Sequence, residues 1–464
     1  MVVEMENRRK GSKVTRGLFL GISFAASVVF YLMWYWMDGV IVTPDAQSYI
    51  DMISARDPGY SLFLWICRVF AGWEGYQHLA IMIQCILAAF ASCLLAGSLQ
   101  KRFHLHWSGM LCILIIQHGL TILNKFVAQR RYSYYNSIES EALAYSIWVF
   151  YILSLLGVIY DRSKKSIVMA VVWSIVLMAT RKQLIITFAI LFFCLVYAWW
   201  KDKKWKKAII SAFLVVVLGI VGTRLVDCTY NFAIRGVFAP HTGDSSFVLG
   251  TEIYVAEEEM VSRIETEESK ALFLEILKRA DELEYNKKYA GKGWHEVEDH
   301  YSMSYDRIKF DIVNVVIREH QIEQGMPEEH REDDYNRIVG GMMKDILIPC
   351  IPYMIKIACC NVVHGCVTTV LKVHPVLNWV ALGIYLCYFA LCFWLIRKKT
   401  YKTQAVSVLP FAILVLLSMA INIAFTSAII YPQMRYMLYN TGLFYQAGFL
   451  LLVEVWRTIK TKEK

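Results

Sequence analysis

Apolar runs of about twenty residues recur along this chain and alternate with short polar segments. A helix of that length matches the roughly 30 Å hydrocarbon core of a bilayer. The pattern predicts ten membrane-spanning helices, at about 17–37, 79–99, 107–123, 142–160, 167–180, 183–200, 208–223, 377–396, 405–430 and 437–456. The predicted fold class is therefore an all-α polytopic membrane protein with about ten transmembrane helices.

The spans divide the chain into three parts. Residues 1–224 form an N-terminal transmembrane module, 225–374 a long insert, and 375–464 a C-terminal set of transmembrane helices. Residues 257–288 of the insert lack Gly and Pro and are rich in helix formers, so the insert is predicted to be mostly helical. Pro349 and Pro352 interrupt its apolar last part, which predicts helices along the membrane surface or a hairpin of two short helices.

The first loop, 38–78, contains two candidate juxtamembrane helices. Ala46, Tyr49, Ile50 and Ile53 follow the i, i+3, i+4, i+7 spacing of an amphipathic helix. Residues 60–71 are apolar but too short to span, which is typical of an interfacial or re-entrant segment.

Composition and charge fit this organisation. Hydrophobic residues make up 57% of the 464 residues, and the net charge is +9. Residues 241–345 hold 25 acidic and 13 basic residues, a local charge of −12, which leaves +21 for the remainder. The acidic insert is a poor partner for nucleic acid, because its charge has the wrong sign.

Basic residues predict the orientation of the chain. Placing the N-terminus in the cytoplasm puts most clusters on that side, namely Lys101–Arg102, Arg162–Lys165, Lys201–Lys207, Arg397–Lys399 and Arg457–Lys464. The opposite short loops hold fewer, including Arg130–Arg131. By the positive-inside rule, both termini are cytoplasmic and the insert is extracytoplasmic in the cell membrane.

Asp45 is the first candidate for chemistry. It lies in Pro44-Asp45-Ala46-Gln47-Ser48-Tyr49, directly after the first span, and it is either a helix N-cap, a general base or a metal ligand. Asp57, next to Arg56, is interpreted as half of a solvated ion pair before a turn.

Further candidates stand at the same predicted side. Glu139 and Glu141 open the fourth span, where the helix macrodipole favours acidic residues, and with Asp45 they predict a shared acidic site. Arg181-Lys182 and Arg435 interrupt apolar runs at turns, as snorkelling anchors or as ligands of an anion such as a lipid phosphate. His295, His300, His320 and His330 lack metal-ligand spacing and are interpreted as surface or packing residues.

These motifs resemble the C-type (GT-C) integral membrane glycosyltransferases, a group that includes protein O-mannosyltransferases and lipid A aminoarabinose transferases. The first loop is similar to their Asp, Tyr and Arg-x-Pro-x-Tyr pattern, through Asp45, Tyr49 and Arg56-Asp57-Pro58-Gly59-Tyr60. Glu141 is similar to the acidic residue that opens their fourth helix, and Arg181 and Arg435-Tyr436 resemble their basic positions. The pattern differs at Ala46, where many relatives have a second acidic residue.

The resemblance implies a polyprenyl-phosphate-linked sugar as donor and transfer at the outer face of the membrane, with inversion in a single displacement. The acceptor is a glycan, lipid or protein of the cell envelope. It implies Asp45, Glu141 and Glu139 as catalytic candidates. No cofactor is assigned; a divalent cation, if used, would be held by Asp45 and Glu141. The substrate-binding candidates are Tyr49, Arg56, Tyr60, Arg181, Lys182, Arg435 and Tyr436.

Two other classes of protein share parts of the pattern. O-antigen ligases and polymerases also combine many spans with a large late outer loop, but they depend on basic residues there, whereas this insert is acidic. A lipid or glycan transporter is expected to show repeats and charges at the bilayer midplane. The predicted spans are nearly free of charge.

Overall fold

The computed structural model describes residues 2–127, 133–200, 205–241, 245–370, 378–398 and 406–462. Within these ranges the chain is almost entirely helical, which confirms the all-α prediction, and the two strands are β1 (Ile41–Val42) and β2 (Ser137–Ile138). The α-helices are α1 (Val2–Asp38), α2 (Ala46–Ile50), α3 (Pro58–Arg102), α4 (Trp107–Val127), α5 (Ser140–Asp161), α6 (Lys164–Thr180), α7 (Ile186–Trp200), α8 (Trp205–Arg235), α9 (Ser245–Val255), α10 (Glu267–Glu282), α11 (Trp294–Arg307), α12 (Asn314–Glu323), α13 (Glu328–Val370), α14 (Asn378–Arg397), α15 (Leu409–Ile429) and α16 (Met434–Lys462).

The apolar runs form helices of membrane-spanning length. Among the described residues, eight helices are long and apolar enough to cross a membrane, and they involve α1, α3, α5, α7, α8, α13, α14 and α15. Each predicted span lies largely on a helix over its described residues, although 406–408 and Ile430 flank α15 without belonging to it, and 183–185 form a 3-10 turn before α7. The chain therefore has the helical architecture of a multi-pass membrane protein.

The first loop folds as two short helices, in part as predicted. Helix α2 ends at Ile50, so Ile53 lies beyond it and is 40% exposed. Gly72 breaks α3 with a φ of 68°, a left-handed conformation that glycine adopts without strain. The segment of α3 before Gly72 is the predicted short helix, and the segment after it contains the predicted span at 79–99.

A two-stranded parallel pairing fixes the first loop against the start of α5. Ile41 pairs with Ser137 and Val42 pairs with Ile138. The Thr43 hydroxyl extends this contact by donating to the Ile138 carbonyl oxygen at 3.2 Å. The segment just before Asp45 is thereby held beside the segment just before Glu141.

The end of the bundle where α5 begins and α6 ends is called here the site end. The start of α3 meets the end of α6 there, because a Cβ on Gly59 would lie 2.8 Å from the Ala179 carbonyl oxygen. Only glycine fits this approach without a shift. The contact sets the beginning of α3 beside Arg181, which follows α6.

Basic residues collect at the opposite end of the bundle. Arg102 forms two hydrogen bonds with Asp161, at 3.0 and 2.5 Å. Arg457 donates to the carbonyl oxygens of Phe103 and His104, both at 2.8 Å. Of the clusters used to predict orientation, Arg130–Arg131, residues 201–204, Lys399 and residues 463–464 lie outside the described residues.

The insert is mostly helical, as predicted, and has a buried core of its own. Helices α9 to α12 and the first part of α13 pack around side chains such as Phe273, Tyr301 and Met342. Between α11 and α12, the residues Ile308–Val313 form a π-helical turn. Turns of this kind are frequent at functional sites.

The prediction of separate surface helices around Pro349 and Pro352 is wrong, because both prolines lie inside the single helix α13. Its two ends lie in different cores: Cys350 is fully buried in the insert, whereas Val370 is buried within the bundle. The later part contacts α15, where the Asn361 amide donates to the Ser427 carbonyl oxygen at 3.4 Å. Packing on both sides supports the helix where the prolines remove hydrogen bonds.

Candidate functional site

Asp45 lies at the N-cap position of α2, but its side chain makes no capping hydrogen bond. Its carboxylate instead faces two arginines, with Oδ1 2.6 Å from an Arg56 nitrogen and Oδ2 4.0 Å from an Arg435 nitrogen. The side chain keeps 47% of its surface exposed. The capping interpretation of its side chain is therefore wrong, and Asp45 is an accessible carboxylate beside two guanidinium groups.

Arg56 is held by neighbours from the first loop. Its Nε donates to the Ser48 hydroxyl at 2.7 Å, and its guanidinium carbon lies 4.6 Å from the centre of the Tyr49 ring. The Tyr49 and Tyr60 rings meet edge to face at 5.1 Å, and the buried Tyr60 hydroxyl donates to Gln84. Tyr49 thus packs directly against Arg56, and the buried Tyr60 packs against Tyr49.

Glu141 and Arg181 form a buried ion pair. The Arg181 nitrogen lies 2.5 Å from Glu141 Oε2 and also donates to the Ser140 hydroxyl at 3.0 Å. Glu139 is the N-cap residue of α5 and is 3% exposed. The two glutamates are therefore buried beside the site, and Asp45 is the more accessible of the predicted carboxylates.

Arg181 and Arg435 converge on one aromatic ring. Their guanidinium carbons lie 5.7 and 4.7 Å from the centre of the Tyr436 ring, within the range of cation–π attraction. Arg435 is further fixed through its carbonyl oxygen, which accepts from the Tyr145 hydroxyl at 2.7 Å. Two cations from distant parts of the chain thus flank a single position at the site end.

The three arginines of the site together lower the pKa of the Asp45 carboxyl. Burial by itself would raise the pKa of the Asp45 carboxyl, but the attraction of Arg56, with smaller contributions from Arg435 and Arg181, holds that pKa below its ordinary value. The carboxylate is therefore charged at neutral pH. The guanidinium groups of Arg56, Arg181 and Arg435 thus lie around the carboxylates of Asp45 and Glu141, and guanidinium groups of this kind can bind an anion such as phosphate with paired hydrogen bonds.

The predicted carboxylates do not fit a metal ion. The described residues contain no group of three or more His, Cys, Asp or Glu side chains placed to hold one. Asp45 and Glu141 each already lie against a guanidinium, at 2.6 and 2.5 Å. A divalent cation between them would also meet the repulsion of three arginines, so no step is assigned to a metal.

Lys182 does not join Arg181 and Arg435. It turns toward a second cluster, in which the Asp57 carboxylate accepts the Lys182 backbone N–H at 2.9 Å. His241 bridges the carboxylates of Asp57 and Asp227, with distances of 3.1 and 2.7 Å. Asp57 is therefore not a solvated residue, which corrects the interpretation made from the sequence.

The sequence pattern did not predict the His241 cluster, because its three members are far apart in the chain. Asp57 is the N-cap residue of α3, Asp227 lies in the last part of α8, and His241 follows α8. The signal available was an aspartate at the end of an apolar run, a costly position without a partner. The cluster fastens the beginning of the insert to the residues that follow Arg56 and Arg181.

The insert also holds the turn that carries Arg435. The Tyr431 hydroxyl donates to Glu298 of α11 and hydrogen-bonds His364 of α13 at 3.0 Å. Gln433 donates to the Tyr305 hydroxyl at 2.7 Å. The acidic insert therefore packs directly against one side of the candidate site, a relationship absent from the sequence pattern.

An apolar groove reaches the site from within the bundle. It encloses about 940 Å³ between α4, α13, α14 and α16, and it extends along α16 from Met434 to Leu452. A long hydrocarbon chain in this groove would reach Met434, the residue that precedes Arg435 in the chain.

Comparisons with protein-family models, curated proteins and solved structures found no match to this chain.

Proposed function

We propose that this protein is a membrane glycosyltransferase that moves a sugar from a polyprenyl-phosphate donor to an acceptor at the outer face of the cell membrane. The observation that carries the proposal is the convergence of Arg181 and Arg435 on Tyr436, next to the accessible carboxylate of Asp45. Cations for a leaving phosphate and a carboxylate for an acceptor are the two requirements of sugar transfer from a lipid phosphate.

The donor is assigned to the arginines and the groove. Guanidinium groups bind phosphate oxygens with paired hydrogen bonds, and they stabilise the charge that develops as the phosphate leaves. The apolar groove beginning at Met434 would hold the polyprenyl chain and place its phosphate beside Arg435. The groove would therefore bind the lipid tail, and the neighbouring arginines would bind the phosphate headgroup.

The acceptor is assigned to the side of Asp45. This carboxylate is half-exposed, whereas Glu139 and Glu141 are buried and Glu141 is paired with Arg181, so of the three predicted carboxylates Asp45 is assigned to the incoming glycan, lipid or protein hydroxyl. Asp45 accepts a hydrogen bond from that hydroxyl and orients it toward the sugar. Attack on the side opposite the leaving phosphate is a single displacement, which inverts the sugar carbon.

The orientation follows from the basic end of the bundle. By the positive-inside rule that end is cytoplasmic, so the site end and the insert are extracytoplasmic, both termini are cytoplasmic, and about ten helices cross the membrane. Single cysteines introduced at exposed insert positions into a variant lacking reactive native thiols should react with an impermeant reagent in intact cells. Reaction only after permeabilisation would contradict this orientation and the outer location of transfer.

Transfer itself is tested with the purified full-length chain in lipid nanodiscs. The chain is given polyprenyl-phosphate-linked sugars and envelope extracts as acceptor, and acceptor-dependent release of polyprenyl phosphate is measured by mass spectrometry. We expect release with one class of sugar, and its loss in a variant carrying both Arg435→Gln and Asp45→Asn. Absence of release from a panel of hexosyl and pentosyl donors, with no binding of a polyprenyl-phosphate analogue, would overturn the proposal.

A further inference from the structure

One lysine of the insert reaches the candidate site from the π-helical turn. Lys309 lies in Ile308–Val313, one helical turn after Tyr305. The Tyr305 hydroxyl accepts a hydrogen bond from Gln433, which stands two residues before Arg435. The face of the insert that carries Lys309 therefore packs on the turn that carries Arg435.

The amine of Lys309 is buried, and no carboxylate among the described residues forms an ion pair with it. The residue is 8% exposed, and its Nζ lies 3.1 Å from the centre of the Phe247 ring and 4.6 Å from that of Phe310. Within the described part of the chain it forms neither a hydrogen bond nor an ion pair. A buried ammonium that lacks such a partner is costly, so burial at this position disfavours the charged form of the amine.

The surroundings favour the neutral amine. Burial lowers the pKa of Lys309 to about 7, and the charge of Arg56 acts in the same direction, while Asp306 and Asp45 oppose it. These three charged groups face Lys309 from α11 and the first loop. Helices α9, α10 and α12 also pack on the turn, and α9 presents the ring of Phe247. A substantial share of the amine is therefore unprotonated at neutral pH.

Asp45 has the opposite character. Its ion pair with Arg56 keeps the carboxylate charged and makes it a weak proton acceptor, although it still accepts hydrogen bonds. General-base catalysis is most efficient when the pKa of the base lies near the working pH. Of the two groups, Lys309 meets this requirement better.

We propose that Lys309, presented by the insert over Phe247 and beside the Asp45–Arg56 pair, is the general base that takes the proton of the acceptor. The role rests on the proposed glycosyl transfer. The acceptor oxygen forms a bond to the sugar carbon as the bond from that carbon to the phosphate oxygen breaks. The phosphate leaves with the bonding electron pair beside Arg435, and the acceptor proton moves to Lys309 Nζ, which becomes an ammonium and later loses the proton to water.

Two substitutions separate this role from its alternatives. Lys309→Arg keeps a cation that does not lose its proton near neutral pH, and Lys309→Met keeps the length of the side chain without an amine. We expect both variants to lose transfer by a factor of about 10² or more. In the unaltered chain, kcat/KM should rise with pH through about 7, and this rise should be absent from the residual activity of both variants. Lys278→Met, at an exposed insert position, is the matched control.

Full activity in Lys309→Arg would mean that the residue binds an anion, and full activity in Lys309→Met would mean that it only fills space. Either result overturns the proposal.

A second measurement does not depend on transfer. Acetylation of the purified full-length chain by acetic anhydride, followed over pH by mass spectrometry of the peptide containing Lys309, reports when the amine loses its proton. We expect half-maximal reactivity near pH 7 and later reactivity at Lys278. An ordinary lysine profile at Lys309 overturns the base assignment even if sugar transfer is observed. Failure of the unaltered chain to use any donor would instead overturn the proposed function.

Discussion

Arg181 lies 2.5 Å from Glu141, and both side chains are nearly removed from solvent, with 14% and 4% of their surfaces exposed. The pair joins the start of α5 to the turn after α6. Breaking a buried pair leaves one charge without a partner, which costs more than the pair contributes when intact. Arg181 therefore stabilises the fold through its buried ion pair. Arg435 makes no comparable contact among the described residues, because the carboxylate that it faces is the half-exposed Asp45 at 4.0 Å.

Substitution of the two arginines should separate binding from folding. Arg435→Gln should weaken binding of a polyprenyl-phosphate analogue by about 1.5–3 kcal/mol, the loss of a charge-assisted hydrogen bond, with little change in thermal unfolding. Arg181→Gln should weaken binding similarly and also destabilise the fold by about 3–5 kcal/mol. Calorimetric binding and thermal unfolding in detergent measure the two effects.

The double variant Arg181→Gln, Glu141→Gln is the control for the buried charge. It should recover most of the lost stability without recovering binding of the analogue. Unchanged affinity in both single variants would show that the arginines are not the phosphate ligands.

Asp45→Asn should lose transfer by a factor of about 10² while remaining folded, because the acceptor hydroxyl loses the carboxylate that orients it toward the sugar. Asparagine keeps the size of the side chain and its ability to cap a helix, and the carboxylate makes no capping hydrogen bond in any case. Asp51→Asn is the matched control, because Asp51 is exposed and its side chain accepts from Gln47 one turn earlier. Transfer rates near those of the unaltered chain would remove Asp45 from the acceptor site.

The His241 bridge should show energetic coupling. Asp57→Asn and His241→Gln each disturb a contact between α3, α8 and the beginning of the insert. Since the two side chains are 3.1 Å apart, a double-mutant cycle in thermal unfolding should give a coupling energy of about 0.5–3 kcal/mol. Strictly additive effects would mean that His241 does not hold Asp57 in place.

Glu252 should make the insert less stable as pH rises. The residue is fully buried, and neither carboxyl oxygen has a partner among the described residues, so burial raises its pKa from 4.5 to about 9. The folded state then retains a proton that the unfolded chain releases above pH 4.5, and stability falls between pH 4.5 and 9.

Glu252→Gln should therefore be more stable than the unaltered chain at pH 8, by at least ~1.4 kcal/mol, with a gap that closes toward pH 5. Thermal unfolding over this pH range measures it, with the exposed Glu282→Gln as control. A stability difference that does not change with pH would contradict the assignment.

The sequence by itself determined the helices and the candidates that follow them. Apolar runs of about twenty residues form helices because every backbone polar group must be satisfied inside a bilayer. Polar residues then fall at the turns between these helices. This position is the reason why the sequence pattern predicts Asp45, Glu141, Arg181 and Arg435 as site candidates. The apolar run at 60–71 is too short to span a bilayer, and its length predicted the short helix that ends at Gly72.

The tertiary structure alone decided which of these residues meet. Side-chain pairing depends on distances between different segments of the fold, so Asp45 pairs with Arg56, Arg181 pairs with Glu141, and Asp57 accepts the backbone N–H of Lys182. No local pattern encodes such distances.

Tertiary packing also keeps α13 a single helix across Pro349 and Pro352. It further places the insert against the turn that contains Arg435. Local propensity predicted a break because proline removes a backbone hydrogen bond. Burial of Cys350 in the insert core and of Asn361 against α15 stabilises the continuous helix. These contacts exist only in the assembled fold, because they join segments that no single apolar run contains.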